Sequence, residues 1–234
     1  MNPVDQYLFE LLNGFAHRSL IFDAAVSFLA DQAVFKGALV TSLLWLAWFQ
    51  HDPDQKLRRE LVISTLAATV AALLLTKIIR SLVPYQLRPI HDPAVTFTLP
   101  YRVTSESLWN WSSFPSDTAA FAIALSVGVL LIWGRWGWLV ILYSLVVICV
   151  PRIYLGYHYP SDVVVGALIG TLVTLTVCRK EIRIPLSRRL LLWSDDHPGT
   201  FYCAFFLLTY EIAAVFENTR QILTAVWKLS RYAL

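Results

Sequence analysis

The sequence has few charged residues and few cysteines. Charged side chains make up 15% of its 234 residues, against about 25% in typical soluble domains. This scarcity and a net charge of only +3 exclude an intrinsically disordered chain and a basic nucleic-acid binder. The three cysteines, Cys149, Cys178 and Cys203, all lie in apolar runs. Such an odd, widely spaced set predicts neither a disulfide framework nor a zinc site, so we expect packing residues.

Apolar and aromatic residues are abundant instead. Hydrophobic residues make up 57% of the chain, above the roughly 45–50% of soluble domains. Nine Trp, ten Tyr and thirteen Phe add an aromatic content that soluble surfaces rarely carry. The N-terminus has no basic region, and Asp5 and Glu10 interrupt the apolar core that a secretory signal needs. The composition therefore indicates an integral membrane protein.

Five or six segments are apolar enough to cross the roughly 30 Å hydrocarbon layer. They are 33–50 (with an amphipathic lead-in at 19–31), 61–83, 117–134, 136–155, 160–178 and 199–217. The last is the weakest of them because it contains Glu211. Amphipathic patterns at 1–16 and 218–234 predict interfacial helices at both ends. The expected fold class is all-α: one domain, 1–234, forming a polytopic membrane helix bundle.

Basic residues in the loops orient this bundle. Nine of them fall on one side: Lys56, Arg58, Arg59, Arg135, Arg179, Lys180, Arg183, Arg188 and Arg189. An excess of Lys and Arg marks the cytoplasmic side of a membrane protein. The long loop 84–116 and the short loop 156–159 should then lie on the opposite, outer side.

Ionisable residues collect on that outer face, in order along the chain: Lys77, Arg80, Arg88, Asp117, Arg152, His158 and Asp162. Because successive spans alternate in direction, loops 84–116 and 156–159 share one face and can share one site. Ionisable residues at membrane depth are costly and usually functional.

Each of these residues also has a simpler interpretation. Lys77 and Arg80 could be interfacial anchors, and Ser116 and Asp117 ordinary caps of the third span. That helix start also offers free N–H groups that suit a phosphate. The spacing of residues 158 and 162, one helical turn, favours a functional pair. It lets a carboxylate accept from one imidazole nitrogen while the other nitrogen faces the site.

Three segments carry a resemblance to a known family. Arg152-x5-His158-x3-Asp162 matches the third signature of the type 2 phosphatidic acid phosphatase superfamily at its usual spacing. Phe114-Pro115-Ser116-Asp117 resembles the second signature, usually written Pro-Ser-Gly-His, and Arg88-Pro89 the end of the first, Lys-x6-Arg-Pro. The resemblance covers about 60–178, roughly half of the chain.

The resemblance implies a role for each matched residue. His158 would attack phosphorus and become a phosphohistidine, and Asp162 would orient its ring. Arg88 and Arg152 would bind the phosphoryl oxygens, with Ser116 donating from the helix end. Asp117 and either Arg80 or Lys77 would complete the phosphate site. The family's chemistry uses no metal and no cofactor, because cations and N–H groups stabilise the phosphoryl oxygens.

Two positions depart from the family pattern. The family places a Lys seven residues before Arg88, where this chain has Ser81. We favour Arg80 as its replacement, with Lys77 as the alternative. Position 118 is Thr118, where the family has the His that protonates the leaving oxygen. A threonine hydroxyl cannot serve as that acid near neutral pH, so another group is required or the leaving group needs no proton. The available acids are His91, Asp92, Glu106 and Asp117.

The sequence thus predicts a lipid phosphatase that acts on a polyprenyl diphosphate such as undecaprenyl diphosphate. Its partner would be a membrane lipid, with no nucleic acid and no metal. The alternatives are a phosphatidate or phosphatidylglycerol-phosphate phosphatase, a lipid phosphotransferase, and a non-catalytic lipid-binding protein.

Overall fold

The computed structural model describes residues 3–101, 103–104, 108 and 111–216, whose regular structure is all helical. The α-helices are α1 (Pro3–Asn13), α2 (Leu20–Asp31), α3 (Leu39–Phe49), α4 (Gln55–Leu82), α5 (Asp117–Trp133), α6 (Gly137–Tyr143), α7 (Val150–Tyr154), α8 (Pro160–Val177), α9 (Lys180–Asp196) and α10 (Pro198–Ala213). Short π-helical turns at Val34–Ala38 and Ser144–Cys149 lead into α3 and α7. The all-α prediction is confirmed for these residues.

Helix α5 lies at the centre and is buried on nearly every side, as expected for a helix that is apolar all round. Two glycines let α8 approach it. A Cβ atom at Gly166 would lie 2.2 Å from the Ser116 carbonyl oxygen, and one at Gly170 would lie 2.4 Å from that of Ala120. The Ser116 N–H also donates to the Asp162 carbonyl at 3.1 Å. The first turns of α5 and α8 are therefore held side by side.

Helix α1 packs across the start of α8. Asp5 is buried and accepts hydrogen bonds from Ser161, from N at 2.7 Å and from Oγ at 2.8 Å. It thereby satisfies an N–H group that has no partner within α8. Phe9 is fully buried, whereas Val4 and Leu11 are exposed. One face of α1 thus contacts protein, and the membrane contact of its apolar face stays a prediction.

Three helical segments are long and apolar enough to cross a membrane, namely α4, the run Asp117–Tyr154 and α8. Segments Leu20–Asp31 and Val34–Phe49, bent by 61°, make a fourth if they form one broken span. The described residues therefore provide three or four candidate spans, and the predicted five or six are not confirmed.

The run Asp117–Tyr154 folds back on itself. Ser126 Oγ and Ser144 Oγ are 2.7 Å apart, whereas 18 residues of straight α-helix would separate them by about 27 Å. The chain reverses near Gly134, whose φ of +57° is one that side-chain-bearing residues rarely adopt. This reversal brings residues 155–159 back to the end of the molecule where α5 begins.

The segment after α8 corrects the sequence prediction. The sequence indicates a basic loop at 179–189, but residues 180–189 belong to α9 and Arg179 precedes its first residue. Apolar residues recur there at helical spacing: Ile182, Leu186, Leu190 and Trp193. Arg183 Nε donates to Glu60 Oε2 at 3.1 Å and ties α9 to the start of α4. The predicted tail helix 218–234 and Glu106 lie outside the described residues, so the single-domain interpretation stays a prediction.

Candidate active site

The geometry of His158 defines one tautomer of its ring. His158 is fully buried between α7 and α8, and its Nδ1 lies 2.8 Å from the Ser113 carbonyl oxygen. A carbonyl oxygen only accepts, so Nδ1 must carry the proton. In the neutral ring Nε2 then keeps its lone pair, and this atom lies 3.4 Å from Arg88 Nη1. The ring therefore presents a nucleophilic nitrogen to a cation.

Asp162 reaches this ring through Ser113. Asp162 Oδ2 accepts from the Tyr159 N–H at 2.9 Å and from Ser113 Oγ through a short hydrogen bond. It lies 3.8 Å from His158 Nδ1, within ion-pair range but beyond a hydrogen bond. The direct hydrogen bond expected from the sequence is therefore not formed. Ser113 takes its place, with its carbonyl on the ring and its hydroxyl on the carboxylate.

Ser113 is the residue that the sequence prediction missed. It directly precedes the Phe114-Pro115-Ser116-Asp117 segment, outside the motif positions, and follows another serine. Its position next to the motif is the one signal that could have pointed to it.

Arg88 is held over the nucleophilic nitrogen by main-chain carbonyls. Its guanidinium donates to the oxygens of Trp111 at 2.9 Å, Tyr157 at 2.5 Å and Ser112 at 3.3 Å. The side chain is almost fully buried, and this burial lowers the pKa of Arg88 to about 10. The group therefore remains protonated at neutral pH. Arg88 is a fixed cation, positioned by backbone rather than by a carboxylate.

Burial also lowers the pKa of the His158 ring below its ordinary value, and the charges of Arg88 and Arg152 act in the same direction. A lower pKa keeps more of the imidazole neutral at pH 7. A neutral imidazole with a fixed Nδ1 proton is suited to attack an electrophile at Nε2.

Arg88 is one of the residues that line a cavity of about 550 Å³. Its polar lining residues are Asp31, Lys36, Lys77, Arg88, Asp117, Thr118, Arg152 and Tyr157, and its apolar wall includes Val70, Leu73, Leu74 and Phe216. Arg152 stacks on the Tyr157 ring, with Cζ 4.7 Å from the centroid. Within the described part of the chain, its buried Nε has no hydrogen-bond partner.

Lys77 and Arg80 make different contacts. Lys77 is exposed and lines the cavity with Arg88. Arg80 Nη2 instead donates to the Pro115 carbonyl at 3.0 Å and lies 3.6 Å from Asp117 Oδ2. Of the two, Lys77 is the one that lines the cavity with Arg88, and the preference for Arg80 as the phosphate-binding cation stays a prediction. Arg80 supports the start of α5.

The start of α5 combines a helix cap with cavity-lining groups. Ser116 Oγ accepts from the Ala119 N–H at 3.3 Å, as predicted for an N-cap. Asp117 Oδ1 accepts from the Thr118 N–H at 2.9 Å. Asp117 and Thr118 line the cavity, whereas Ser116 is fully buried behind them.

Of the candidate replacement acids within the described residues, Asp117 lines the cavity and the other two do not. Asp92 Oδ2 accepts from the Tyr159 hydroxyl at 2.7 Å, and neither Asp92 nor His91 is among the described lining residues. Asp117 lines the cavity, but its pairing with Arg80 favours the ionised carboxylate, which accepts protons and does not donate one.

Comparisons with known proteins match the part of the chain that carries this cluster. The family model of the PAP2 superfamily matches residues 61–183, a range that contains Arg88, Ser113, Arg152, His158 and Asp162. The chain is 28% identical over 169 residues to undecaprenyl-diphosphatase BcrC of Bacillus subtilis (strain 168), covering 70% of this chain and 80% of that protein.

Two further similarities extend over more of the chain. It is 28% identical over 207 residues to lipid A 1-diphosphate synthase of Escherichia coli (strain K12), covering 84% of this chain and 83% of that protein. The crystal structure of Aquifex aeolicus LpxE matches with a TM-score of 0.51 and 25% identity, over 75% of this chain and 94% of that one. Because the family model spans more than half of the sequence and encloses the whole cluster around His158, the chain belongs to the PAP2 superfamily and is a phosphatase.

Proposed function

We propose that this phosphatase hydrolyses a polyprenyl diphosphate, such as undecaprenyl diphosphate, through a phosphohistidine at His158. The observation that carries the proposal is the placement of the His158 ring, with Nδ1 on the Ser113 carbonyl and Nε2 directed at Arg88. Because Nε2 of His158 faces Arg88, a phosphoryl group whose oxygens are bound by Arg88 lies next to the nucleophile. The relatives named as undecaprenyl-diphosphatases support the same substrate class.

The reaction proceeds in two steps. His158 Nε2 forms a bond to the terminal phosphorus, the bond to the bridging oxygen breaks, and its electron pair leaves on the lipid phosphate. Water then attacks the phosphohistidine, the N–P bond breaks with its electron pair returning to Nε2, and inorganic phosphate leaves carrying both protons of the water. The ring gains positive charge in the first step. The Ser113 carbonyl, which holds the Nδ1 proton, and the nearby Asp162 carboxylate stabilise that charge.

Three cations stabilise the transferred phosphoryl group. Arg88 is closest to Nε2, while Arg152 and Lys77 line the cavity around it. His158 is fully buried and is not on the lining, and Arg88 Nη1 lies 3.4 Å from its Nε2, so Arg88 must shift before phosphorus can meet Nε2. In-line phosphoryl transfer depends mainly on such positioned charge.

The walls of the cavity favour a lipid diphosphate. Val70, Leu73 and Leu74 of α4 form an apolar side next to the cations, which suits a hydrocarbon tail. Thr118 stands where the family has its general acid. Without a general acid, the leaving group of a monoester is an alkoxide. The leaving group of a diphosphate is a lipid phosphate, whose second pKa is about 6. The missing acid therefore handicaps monoesters far more than diphosphates.

A phosphotransferase is the second candidate. The E. coli relative that matches 84% of this chain is named as a lipid A 1-diphosphate synthase. A phosphohistidine at His158 could pass its phosphoryl group to a lipid acceptor in place of water. Transfer would require an added acceptor for turnover, whereas hydrolysis needs only water.

We further propose that the site faces the periplasm or cell exterior from a bacterial inner membrane. The site lies where α5 begins, at Asp117. Arg58 lies at the other end of α5, with Cζ 5.4 Å from the Trp133 ring centroid. Helix α9, with its basic residues, is tied to the start of α4 near Arg58. The basic end and the site are thus about 25 Å apart along α5, and the basic end marks the cytoplasm.

A substitution at Ser113 tests the contribution of its hydroxyl group apart from that of its carbonyl group. Ser113→Ala keeps the carbonyl that fixes the His158 ring and removes the hydroxyl that donates to Asp162. Losing a hydrogen bond to a buried charge costs about 1.5–3 kcal/mol, so kcat should fall about 10- to 100-fold with a small change in KM. His158→Ala should abolish turnover. The measurement is phosphate release from farnesyl diphosphate by the purified protein.

Ser112→Ala is the matched control, because Ser112 Oγ accepts only from the Gln86 N–H, at 3.2 Å, within the described contacts. It should lose much less activity than Ser113→Ala. Equal losses in the two variants, or substantial turnover by His158→Ala, would contradict the proposed mechanism.

Position 118 tests the substrate class. The natural protein should prefer a diphosphate over a monoester of the same tail by at least about tenfold in kcat/KM, because general acid catalysis contributes about 10²–10⁴-fold and is missing here. Thr118→His should raise monoester turnover more than diphosphate turnover. For the natural protein and for Thr118→His, kcat/KM is measured with farnesyl diphosphate, farnesyl phosphate and phosphatidate. Equal cleavage of phosphatidate and the diphosphate by the natural protein would refute this substrate assignment.

Orientation is tested by labelling in intact cells. A cysteine at Thr104 should react with a membrane-impermeant thiol reagent, and one at Gln55 should not. Exposed Cys203 is first changed to serine, since Cys149 and Cys178 are buried. The parent without an added cysteine is the control, and the reverse labelling pattern would place the site in the cytoplasm.

A further inference from the structure

One wall of the cavity comes from a part of the chain that the family model does not cover. Lys36 and Asp31 line the same 550 Å³ space as Arg88, Arg152 and Lys77. Both precede the matched range 61–183. Lys36 lies in the π-helical turn Val34–Ala38 and is half-buried. π-helical turns inside helices occur frequently at functional sites.

Gly37 fixes the backbone beside Lys36. A Cβ atom at Gly37 would lie 2.7 Å from the Ala213 carbonyl oxygen and 2.9 Å from Phe121 Cζ. The turn therefore packs directly on the end of α10 and on the side of α5, with no room for a side chain. This close approach anchors the main chain from which Lys36 extends to the cavity lining.

The charges of the cavity suit two phosphate groups. Arg88 contacts the nucleophilic nitrogen, so the phosphate under attack lies beside Arg88 and His158. The next phosphate of a diphosphate must lie farther out, towards the remaining walls. Lys36 supplies a cation there. Asp31 is exposed, so water screens its charge more than that of half-buried Lys36.

We propose that Lys36 binds the lipid-linked phosphate of the substrate, which is the leaving group, and so offsets the absence of an acid at Thr118. This rests on the diphosphatase function proposed above. When His158 Nε2 bonds to the terminal phosphorus, the bridging P–O bond breaks and its electron pair stays on the bridging oxygen. That oxygen departs unprotonated on the lipid phosphate, and the Lys36 ammonium stabilises the added charge. A monoester has no second phosphate for Lys36 to hold.

The test compares two substrates with one tail, farnesyl diphosphate and farnesyl phosphate, using the full-length protein in detergent. Lys36→Gln should lower kcat/KM for the diphosphate about 10- to 100-fold, with an effect on kcat as well as KM, and change the monophosphate less than about threefold. Lys36→Arg should restore most of the diphosphate activity, because it restores the charge. A thermal melt of each variant shows that it is folded.

Two other lysines give the contrast. Lys77→Ala should lower kcat/KM for both substrates by similar factors, because the mechanism proposed above assigns Lys77 to the phosphate that is attacked in either case. Lys56→Ala, in the basic region at the other end of α4, should change neither. Equal effects of Lys36→Gln on both substrates, or no effect on the diphosphate, would overturn the role of Lys36 and leave the proposed function intact. Absence of phosphate release from either substrate by the natural protein would overturn both.

Discussion

The hydrogen bond between His158 Nδ1 and the Ser113 carbonyl is the contact on which the rest of the site depends. It fixes the proton on one nitrogen and leaves the lone pair of the other facing Arg88. A main-chain carbonyl cannot be removed by changing a side chain, so the tautomer is set by the fold itself. Asp162 then acts on the ring at 3.8 Å, through charge and through Ser113, rather than through a direct hydrogen bond.

The helices serve this contact by bringing three distant segments together. Gly166 lets α8 lie against the Ser116 carbonyl, so that Asp162 and the 112–116 segment meet. The reversal near Gly134 returns the chain to the same end, so that residues 157 and 158 reach Arg88. Asp5 of α1 caps the first turn of α8 through Ser161. Each of these approaches holds backbone atoms at the site, and a rigid backbone is what preorganises charge for phosphoryl transfer.

Much of this arrangement could be predicted from the sequence, and the limits have physical causes. Apolar length and alternating span direction were enough to place Arg88, Arg152 and His158 at one end of an all-helical molecule. The sequence could not show Ser113 between His158 and Asp162, because i to i+4 spacing in a helix does not fix a ring that lies before the helix begins.

Which of Lys77 and Arg80 lines the cavity depends on the direction of each side chain, not on its distance from Arg88 along the chain. Residue count favoured Arg80, but its guanidinium turns to Pro115 and Asp117. The charged residues of α9 mask its apolar repeat, so the sequence predicts a loop there. The contribution of Lys36 to the cavity depends on contacts between segments far apart in sequence, which no local pattern contains.

The central claim is that Nε2 of His158 forms the covalent bond to phosphorus. The most direct measurement is to quench the enzyme in alkali during turnover of farnesyl diphosphate labelled in its terminal phosphate, and to locate the label by peptide mapping and phosphorus NMR. The account predicts a single labelled site, Nε2 of His158, that disappears in His158→Ala. Label on Nδ1 or on another residue, or turnover with no covalent intermediate, would contradict it.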